Sequence, residues 1–448
     1  MGDPKVTEQF SPAFSFGEPN RSVFIAEDEA LIKDIDGTVL LSGNAEVRLD
    51  LLPRPRIHVY VTNKKELGFG IGNNAKILEL TNHRCKIKGF TTTVNPSTSN
   101  GISLVWSPYS EPIIGVGNDT TEIQYVVFHL FNFKNILGTS RSWEQGDMAS
   151  PSIEHVTLKA DNWVVELKSL TESESNSKKL KKEGGCRLMH IGLLKKVDHT
   201  SFLGKEATEM LNALRYFFSF AKGAWCEPVC AVGFDFSGNR VWESWSSPTE
   251  SSFSQLSWFD EHHSEQLEDL FPGFMRCWFD EDLNDTFHKV IYWYLNANNS
   301  KVDVGIILTQ AALERLSFEY VVNVYKLKKA EIFTRLPAVD KIRSLFSNLD
   351  MDIPASITEH TPELKKLAED FRWKDDALSA IILVRNSLVH PAKKYRGKFK
   401  SAMYYDTRNL GLWYLELSLL KLCEYSGTYF NRLTSEWIGQ VENVPWKN

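Results

Sequence analysis

The hydrophobic periodicity of this 448-residue chain changes from strand-like to helical along its length, and this limits the folds that it can form. In the first 200 residues, short apolar or alternating runs such as residues 57–61 recur between Asn-, Gly- and Pro-rich breaks. From about Ser264 onward, apolar residues recur every three or four positions nearly throughout. Because strands repeat every two residues and helices about every 3.6, the sequence predicts a β-rich region followed by a helical one.

We therefore expect an α+β multidomain protein in which an N-terminal antiparallel β-sandwich-like domain precedes a C-terminal all-α bundle. The predicted parts are a β-rich domain over residues 1–200, a mixed linker region over 201–263 and a helical domain over 264–448. Residues 202–224 of the linker region have helical spacing, and Gly223 is the expected stop. The polar segment 172–185 is predicted to be a solvated loop of a hairpin.

Charge and composition exclude several classes of protein. The 51 Lys and Arg residues against 57 Asp and Glu give a net charge of −6, which excludes a uniformly basic nucleic-acid-binding coat but allows a local basic patch. The N-terminal residues lack the features of a signal peptide, and no apolar run reaches the roughly 18 residues of a membrane span. We therefore expect a cytoplasmic protein without a membrane partner. The six cysteines are scattered, and Cys226 and Cys230 are predicted to be buried apolar residues rather than metal ligands.

One short motif stands out, in which Arg385 and Asn386 are followed by His390 and Pro391. Proline cannot continue a helical hydrogen-bond ladder, so the motif is predicted to close an apolar helix. Five residues of helix place Arg385 and His390 about 140° apart around the axis. They converge on one ligand only if the helix end distorts or if a second chain supplies a facing copy. We therefore expect a homodimer.

The residues around this motif form a basic stretch. No acidic residue lies between Asp376 and Asp406, whereas the same stretch contains Arg385, Lys393, Lys394, Arg396, Lys398 and Lys400. Tyr395 is one of several aromatic residues between these cations, and such rings stack on unpaired bases. In a chain with net negative charge, this local field predicts a polyanion held next to a histidine.

The string Arg-Asn-x-x-x-His at the end of a helix resembles the signature of the HEPN superfamily of ribonucleases. The segment over residues 409–429 resembles the ApeA-type branch found in bacterial antiphage defence, in which a β-rich domain precedes the HEPN bundle. The helical resemblance covers residues 285–430. It implies a nuclease domain preceded by a sensing or regulatory domain, acting in growth-arresting antiviral defence. Whether a phage-derived trigger acts through the N-terminal domain is left open.

The chemistry of RNA cleavage suits these residue types. RNA carries its own nucleophile, the 2′-hydroxyl group, so that cleavage needs a proton-transfer group and a cation on the phosphate. We expect His390 to transfer the proton, Arg385 to stabilise the phosphate oxygens and Asn386 to assist, without metal or cofactor. The remaining basic residues and Tyr395 are expected to position single-stranded or loop RNA, with transfer RNA favoured over messenger RNA.

Three other interpretations of the sequence stay open. In the first, the helical domain is a catalytically inactive HEPN module that binds RNA or a nucleotide. In the second, the chain is a β-sandwich recognition protein with a helical scaffold. In the third, the motif has only a structural role, because an arginine near a helix C-terminus and a histidine before a proline also occur as simple helix caps.

Overall fold

The computed structural model describes residues 11–63, 76–97, 101–136, 155–170, 173–249, 255–351, 360–370, 376–390, 393 and 397–447. A β-rich region occupies the N-terminal part of the chain and a helical region the C-terminal part, as the change in periodicity predicted. No helix among these residues has the length and apolar character needed to cross a membrane.

The first six strands form a closed antiparallel barrel in the order β1-β2-β3-β6-β5-β4. Their bounds are β1 (Val23–Lys33), β2 (Val39–Asp50), β3 (Arg56–Asn63), β4 (Lys76–Leu80), β5 (Cys85–Ser97) and β6 (Gly101–Pro108). Alternate residues fill the interior, and Val47, Leu49, Ile57, Val59 and Val61 have no exposed surface. The strands therefore have the two-residue alternation that the sequence predicts for this part of the chain.

The barrel differs from the sandwich-like arrangement that we expected for the first strands. Residues 30–33 of β1 pair with residues 77–80 of β4, while the same strand also pairs with β2, so the sheet closes on itself. Alternation specifies which face of a strand is buried but not which strands pair, and the sequence pattern therefore could not distinguish the two arrangements.

A seven-stranded antiparallel sheet follows, in the order β10-β11-β12-β9-β14-β15-β7. Its strands are β7 (Ile113–Val116), β9 (Tyr125–Phe131), β10 (His155–Ala160), β11 (Trp163–Ser169), β12 (Leu188–Lys196), β14 (Pro228–Phe234) and β15 (Arg240–Trp245). Two short pairs join β8 (Glu122–Ile123) to β13 (Phe202–Leu203), and β16 (Thr428–Tyr429) to β17 (Glu442–Asn443).

The helices have the bounds α1 (Ser173–Glu183), α2 (Gly204–Lys222), α3 (Glu265–Phe279), α4 (Asn284–Asn299), α5 (Val302–Phe318), α6 (Ala330–Thr334), α7 (Ala338–Asn348), α8 (Pro362–Asp370), α9 (Ala377–Val389) and α10 (Ser401–Leu422). A π-helical turn, Glu319–Val324, continues α5. Helix α1 occupies the segment predicted to be a solvated loop. Helix α2 ends at Gly223, whose φ of 76° is the left-handed conformation that glycine adopts without strain.

Residues 201–263, expected to be a mixed linker region, contain α2 together with β14 and β15 of the large sheet. Helix α2 lies between the sheet and the helical region, since Phe218 packs against Phe133 at 5.5 Å and Phe217 against Phe271 at 5.1 Å. One continuous apolar core therefore extends from the large sheet into the helices, whereas most of the barrel interior belongs to a second core.

Candidate functional site

Helix α9 places the Arg-Asn-x-x-x-His motif at its C-terminal end. The helix contacts α5, α7, α8 and α10, and Ile381 and Val384 on its apolar side are buried. It ends at Val389, one residue before His390, as expected for a chain that approaches a proline. Pro391 itself lies outside the described residues.

Arg385 is half-buried on the penultimate turn of α9. Its Nη1 donates a hydrogen bond to Asn386 Oδ1 at 3.1 Å, which orients both side chains. Its Nε is buried, and no acceptor for it occurs in the part of the chain that the structure describes. A buried donor without an acceptor is unfavourable, so the guanidinium is suited to an anionic ligand that supplies one.

His390 is exposed and lies just beyond the helix. Its backbone N–H donates to the carbonyl oxygen of Asn386 at 2.7 Å, and its φ of −123° and ψ of 79° are not helical. Both side chains of the predicted pair are described, and no hydrogen bond joins Arg385 to His390. The structure therefore brings Arg385 and Asn386 together, and it exposes His390 at the end of the helix without a hydrogen bond to Arg385.

The predicted RNA-binding residues follow α9. Lys393, Lys398 and Lys400 are exposed, and Lys400 directly precedes α10. Lys394, Tyr395 and Arg396 lie outside the described residues. Of the other aromatic residues in this stretch, Phe399 and Tyr404 stack on each other with ring centroids 6.2 Å apart.

The two carboxylates that border the acid-free stretch are bonded to other parts of the bundle. Asp376 pairs with Arg343 and accepts a hydrogen bond from Ser379. Asp406 accepts the backbone N–H of Glu363 at 2.9 Å, at the start of α8, and burial raises its pKa. Both carboxylates therefore bond to groups other than the basic side chains of the stretch that they border.

The structure places the two closely spaced cysteines in the core. Cys226 Sγ donates to Phe131 O at 3.7 Å and Cys230 Sγ to Ser246 O at 3.2 Å, and burial raises the pKa of both thiols to about 12. This confirms the prediction that they are buried apolar residues. Among the described residues, no group of three or more His, Cys, Asp or Glu side chains is arranged to hold a metal ion.

Two family models match parts of the chain. Residues 118–256 match the YopA central domain, and residues 280–443 match the YopA C-terminal domain. The chain is also 29% identical over 340 residues to the SPbeta prophage-derived uncharacterized protein YopA of Bacillus subtilis (strain 168), covering 73% of each protein. No solved structure matches the chain.

The two matched ranges correspond to different parts of the fold. The central-domain match begins after the barrel and covers most of the seven-stranded sheet with α2. The C-terminal match contains α4 to α10, so Arg385, Asn386 and His390 all lie inside it. Neither the names of these two domains nor that of the B. subtilis relative states an activity.

Sequence reasoning missed one buried charge network in the helical region. Arg432 Nε donates to Glu416 Oε2 at 2.8 Å, and the Tyr294 hydroxyl donates to Glu416 Oε1 at 2.6 Å. All three side chains are buried, so the network joins α4, α10 and the C-terminal segment. The available signal was Glu416 itself, because an acidic residue between Leu415 and Leu417 of an apolar helix requires a buried partner.

Proposed function

We propose that this protein is a metal-independent endoribonuclease of HEPN type that cleaves RNA by attack of the 2′-hydroxyl group on the adjacent phosphate. The observation that carries the proposal is the position of Arg385 relative to His390. Arg385 is half-buried and oriented by Asn386, and it lies one and a half helical turns before the exposed His390. The acid-free basic stretch that follows supports it, as does the resemblance of the motif to the HEPN signature.

Each side chain has a defined part in this chemistry. The imidazole of His390 takes the proton from the 2′-hydroxyl or delivers one to the 5′-oxygen that leaves. The forked guanidinium of Arg385 stabilises the negative charge that develops on the phosphate oxygens, and Asn386 holds it in place. The products are a 2′,3′-cyclic phosphate and a 5′-hydroxyl, which requires neither metal nor cofactor.

The geometry favours a site shared by two chains. No hydrogen bond joins Arg385 to His390 within one chain, and ideal helical geometry separates them by about 140°. Around a two-fold axis, each chain's Arg385 faces the other chain's His390, so that two incomplete sites complete each other. A homodimer with the 385–390 segments facing each other is therefore part of the proposal.

The substrate is single-stranded or loop RNA, with transfer RNA anticodon loops favoured and messenger RNA second. Bases stack on side-chain rings only when unpaired, and in-line attack by the 2′-hydroxyl needs a flexible backbone. Replacing Lys393 and Lys394 by glutamate should raise KM and flatten its salt dependence more than it lowers kcat, because these lysines contact phosphates rather than the reacting atoms. Steady-state cleavage of a loop RNA at several salt concentrations measures both effects.

The biological role that we propose is growth arrest in defence against phage, with the N-terminal barrel and sheet as the sensing or regulatory part. The resemblance to ApeA-type proteins implies this role. The name of the B. subtilis relative records a prophage origin for that protein. A resident prophage that arrests its host on infection by a competing phage is consistent with the ApeA-type resemblance and with the prophage origin of the relative.

A catalytically inactive module that binds RNA or a nucleotide is the second candidate. The absence of a hydrogen bond between Arg385 and His390 in one chain favours it, because the same arrangement binds an anion without completing a catalytic pair. Cleavage distinguishes the two candidates, whereas binding does not.

The deciding experiment is cleavage of total RNA in EDTA by the wild-type chain and by His390→Ala, with the new ends mapped. We expect cyclic-phosphate ends at a limited set of loops in the wild type and none in the variant. RNA that carries a 2′-deoxy group at the scissile nucleotide should stay intact. Loss of wild-type activity in EDTA, or equal cleavage by His390→Ala, would contradict the proposed mechanism.

A further inference from the structure

A band of aromatic side chains covers one surface of the junction between the large sheet and the helices. We call it the aromatic band and define it as Tyr216, Trp225, Tyr292 and Trp293. The rings of Tyr216 and Trp225 lie 5.5 Å apart, and those of Trp225 and Tyr292 lie 6.1 Å apart. Tyr292 is 42% exposed, and the other three are partly buried.

Two cations lie over the faces of these rings. Lys289 Nζ is 5.5 Å from the centre of the Tyr292 ring and 5.9 Å from that of Trp293. The guanidinium carbon of Arg215 is 4.7 Å from the centre of the Trp225 ring. Rings and cations therefore lie next to one another on this surface, and sites for unpaired bases and phosphates combine the same two kinds of group.

The aromatic band rests on a rigid base. Beneath it, the rings of Trp278 and His288 stack at 3.6 Å, and Tyr216 packs on Trp278 at 4.9 Å. The band combines α2, α4 and the segment that follows Gly223. Since its side chains are held by packing before any ligand arrives, little conformational entropy is lost when a ligand binds.

The acidic residues beside the aromatic band are already paired. Glu227 Oε2 lies 2.8 Å from Arg215 Nε, and Thr249 donates to the same carboxylate. Asp285 pairs with Arg315 at 2.5 Å. Lys289, in contrast, forms no ion pair within the described ranges, so its charge is available to an anion.

A cleft of about 760 Å³ adjoins the aromatic band at Arg215, between the barrel and the large sheet. Its barrel-side wall includes Tyr109, which is 53% exposed, and the exposed Arg56. Across the described part of the chain, the Arg56 side chain has no hydrogen bond or ion pair. The cleft therefore adds an exposed ring and an exposed cation to those of the band. Its lining also contains Glu111, which accepts the backbone N–H groups of Ile57 and Ser247, and Glu209, which lies 3.8 Å from Lys205.

We propose that the aromatic band and the adjoining cleft bind single-stranded nucleic acid, with bases stacked on Tyr292 and Trp225 and phosphates on Lys289 and Arg56. This site uses none of the residues of the 385–400 segment and does not depend on cleavage there. Stacking on ring faces is insensitive to sequence, so the site binds unpaired strands in general and excludes duplexes, whose base faces are hidden.

The test measures binding of a fluorescent 2′-O-methyl oligouridine of about 15 nucleotides, which the proposed nuclease cannot cut. The double variant Lys289→Ala/Tyr292→Ala should bind it about tenfold more weakly than the wild type, since base stacking on one ring alone contributes on this scale. The salt dependence should also decrease, because one phosphate contact is lost. Lys289 is exposed and Tyr292 is 42% exposed, so the melting temperature should fall by only a few degrees, and binding is compared at a temperature where both proteins are folded.

The matched control is Lys159→Ala/Phe236→Ala, which removes an exposed lysine and a 90% exposed aromatic ring elsewhere in the β-rich region. This control should bind like the wild type. If the band double variant also binds like the wild type while Lys393→Glu/Lys394→Glu loses binding, the proposed site is wrong and the nuclease proposal stands. If the wild-type chain does not cleave RNA and the band double variant loses binding, the nucleic-acid site is supported and the nuclease proposal is not.

Two other results would overturn the proposal. One is equally tight binding of the duplex form of the oligonucleotide, which would exclude stacking on the rings. The other is a dimer of the wild-type chain that dissociates in Lys289→Ala/Tyr292→Ala by light scattering, which would make the aromatic band a contact between two copies.

Discussion

At the scale of single residues, two buried histidines make the large sheet sensitive to acid. His129 accepts the backbone N–H of Ala13 at Nε2, and its Nδ1 lies 3.0 Å from the carbonyl oxygen of Val229. His190 is fully buried, and no described group bonds to either of its ring nitrogens. Burial lowers the pKa of His129 to about 4 and that of His190 to about 3, so both are neutral in the folded protein at neutral pH.

The direction of the pH effect follows from these values. Between pH 6.5 and about 4, the unfolded chain binds protons at His129 and His190 while the folded chain does not. Acid therefore favours unfolding, and stability is lost as the pH falls through this window, by about 1.4 kcal/mol per pH unit for each histidine. Thermal melting from pH 7 to 4 measures the loss.

The variant His190→Met removes one of the two groups and should make the melting temperature less dependent on pH in this window. The exposed His199→Asn is the matched control and should leave the pH dependence as it is in the wild type. If the melting temperature changes with pH equally in His190→Met and the wild type, His190 does not contribute to the acid sensitivity.

The role proposed for Arg385 gives a second prediction at this scale, because that role is chemical rather than structural. Arg385→Lys keeps the charge but loses the fork that contacts two phosphate oxygens, so we expect cleavage to fall at least about 100-fold while RNA still binds. The measurement is single-turnover cleavage together with a binding titration.

The structural control is Ile381→Ala, on the buried side of the same helix, which should reduce the free energy of unfolding by about 2–5 kcal/mol. His390→Ala and Arg385→Lys should both melt within a few degrees of the wild type. A loss of stability in these two that matches Ile381→Ala would mean that the motif only caps the helix.

At the scale of secondary-structure elements, the close approach of α3 to the end of α10 depends on one glycine. A Cβ atom on Gly273 would lie 1.8 Å from the carbonyl oxygen of Cys423, far inside van der Waals contact. Pro272 precedes it within α3, and Cys277, one turn later, donates through Sγ to Leu422 O at 3.3 Å. The two helices are therefore held together backbone to backbone.

Gly273→Ala should force α3 and α10 apart and destabilise the protein by about 3 kcal/mol, at the upper end of the usual range for overpacking. Gly17→Ala is the control, because a Cβ there meets nothing within 4 Å. Chemical denaturation measures both changes. A Gly273→Ala chain as stable as the control would indicate that the helices can separate freely.

At the scale of the whole molecule, the proposed mechanism requires the exposed His390 to lie near an arginine. The helical bundle presents the end of α9 at the surface, and the contacts within one chain do not bring the pair together. If two chains complete each other, each site takes its arginine from one copy and its histidine from the other.

Mixing an Arg385→Ala chain with a His390→Ala chain tests this arrangement. Random pairing makes half of the dimers mixed, and each mixed dimer has one intact site of two, so about a quarter of wild-type cleavage should return. Neither chain should cleave RNA alone. An active wild-type protein that remains a monomer by light scattering at micromolar concentration would contradict a shared site.

The sequence by itself determined the change from strands to helices along the chain, together with several helix ends, although it did not predict helix α1. Gly223 ends α2, Pro337 separates α6 from α7, and α9 stops just before Pro391. The Arg385 motif and its acid-free surroundings were also visible directly. All of these features depend on residues within a few positions of one another, where propensity, periodicity and backbone sterics act.

Only the tertiary structure decided which distant segments meet. The pairing of β1 with β4 closes the barrel, and the contact of Arg432 with Glu416 neutralises a charge inside an apolar helix. The aromatic band likewise unites Trp225 with Tyr292, which are 67 positions apart in the chain. Alternation and helical spacing specify a buried face but carry no information about its partner, because pairing depends on the free energy of the entire packed arrangement.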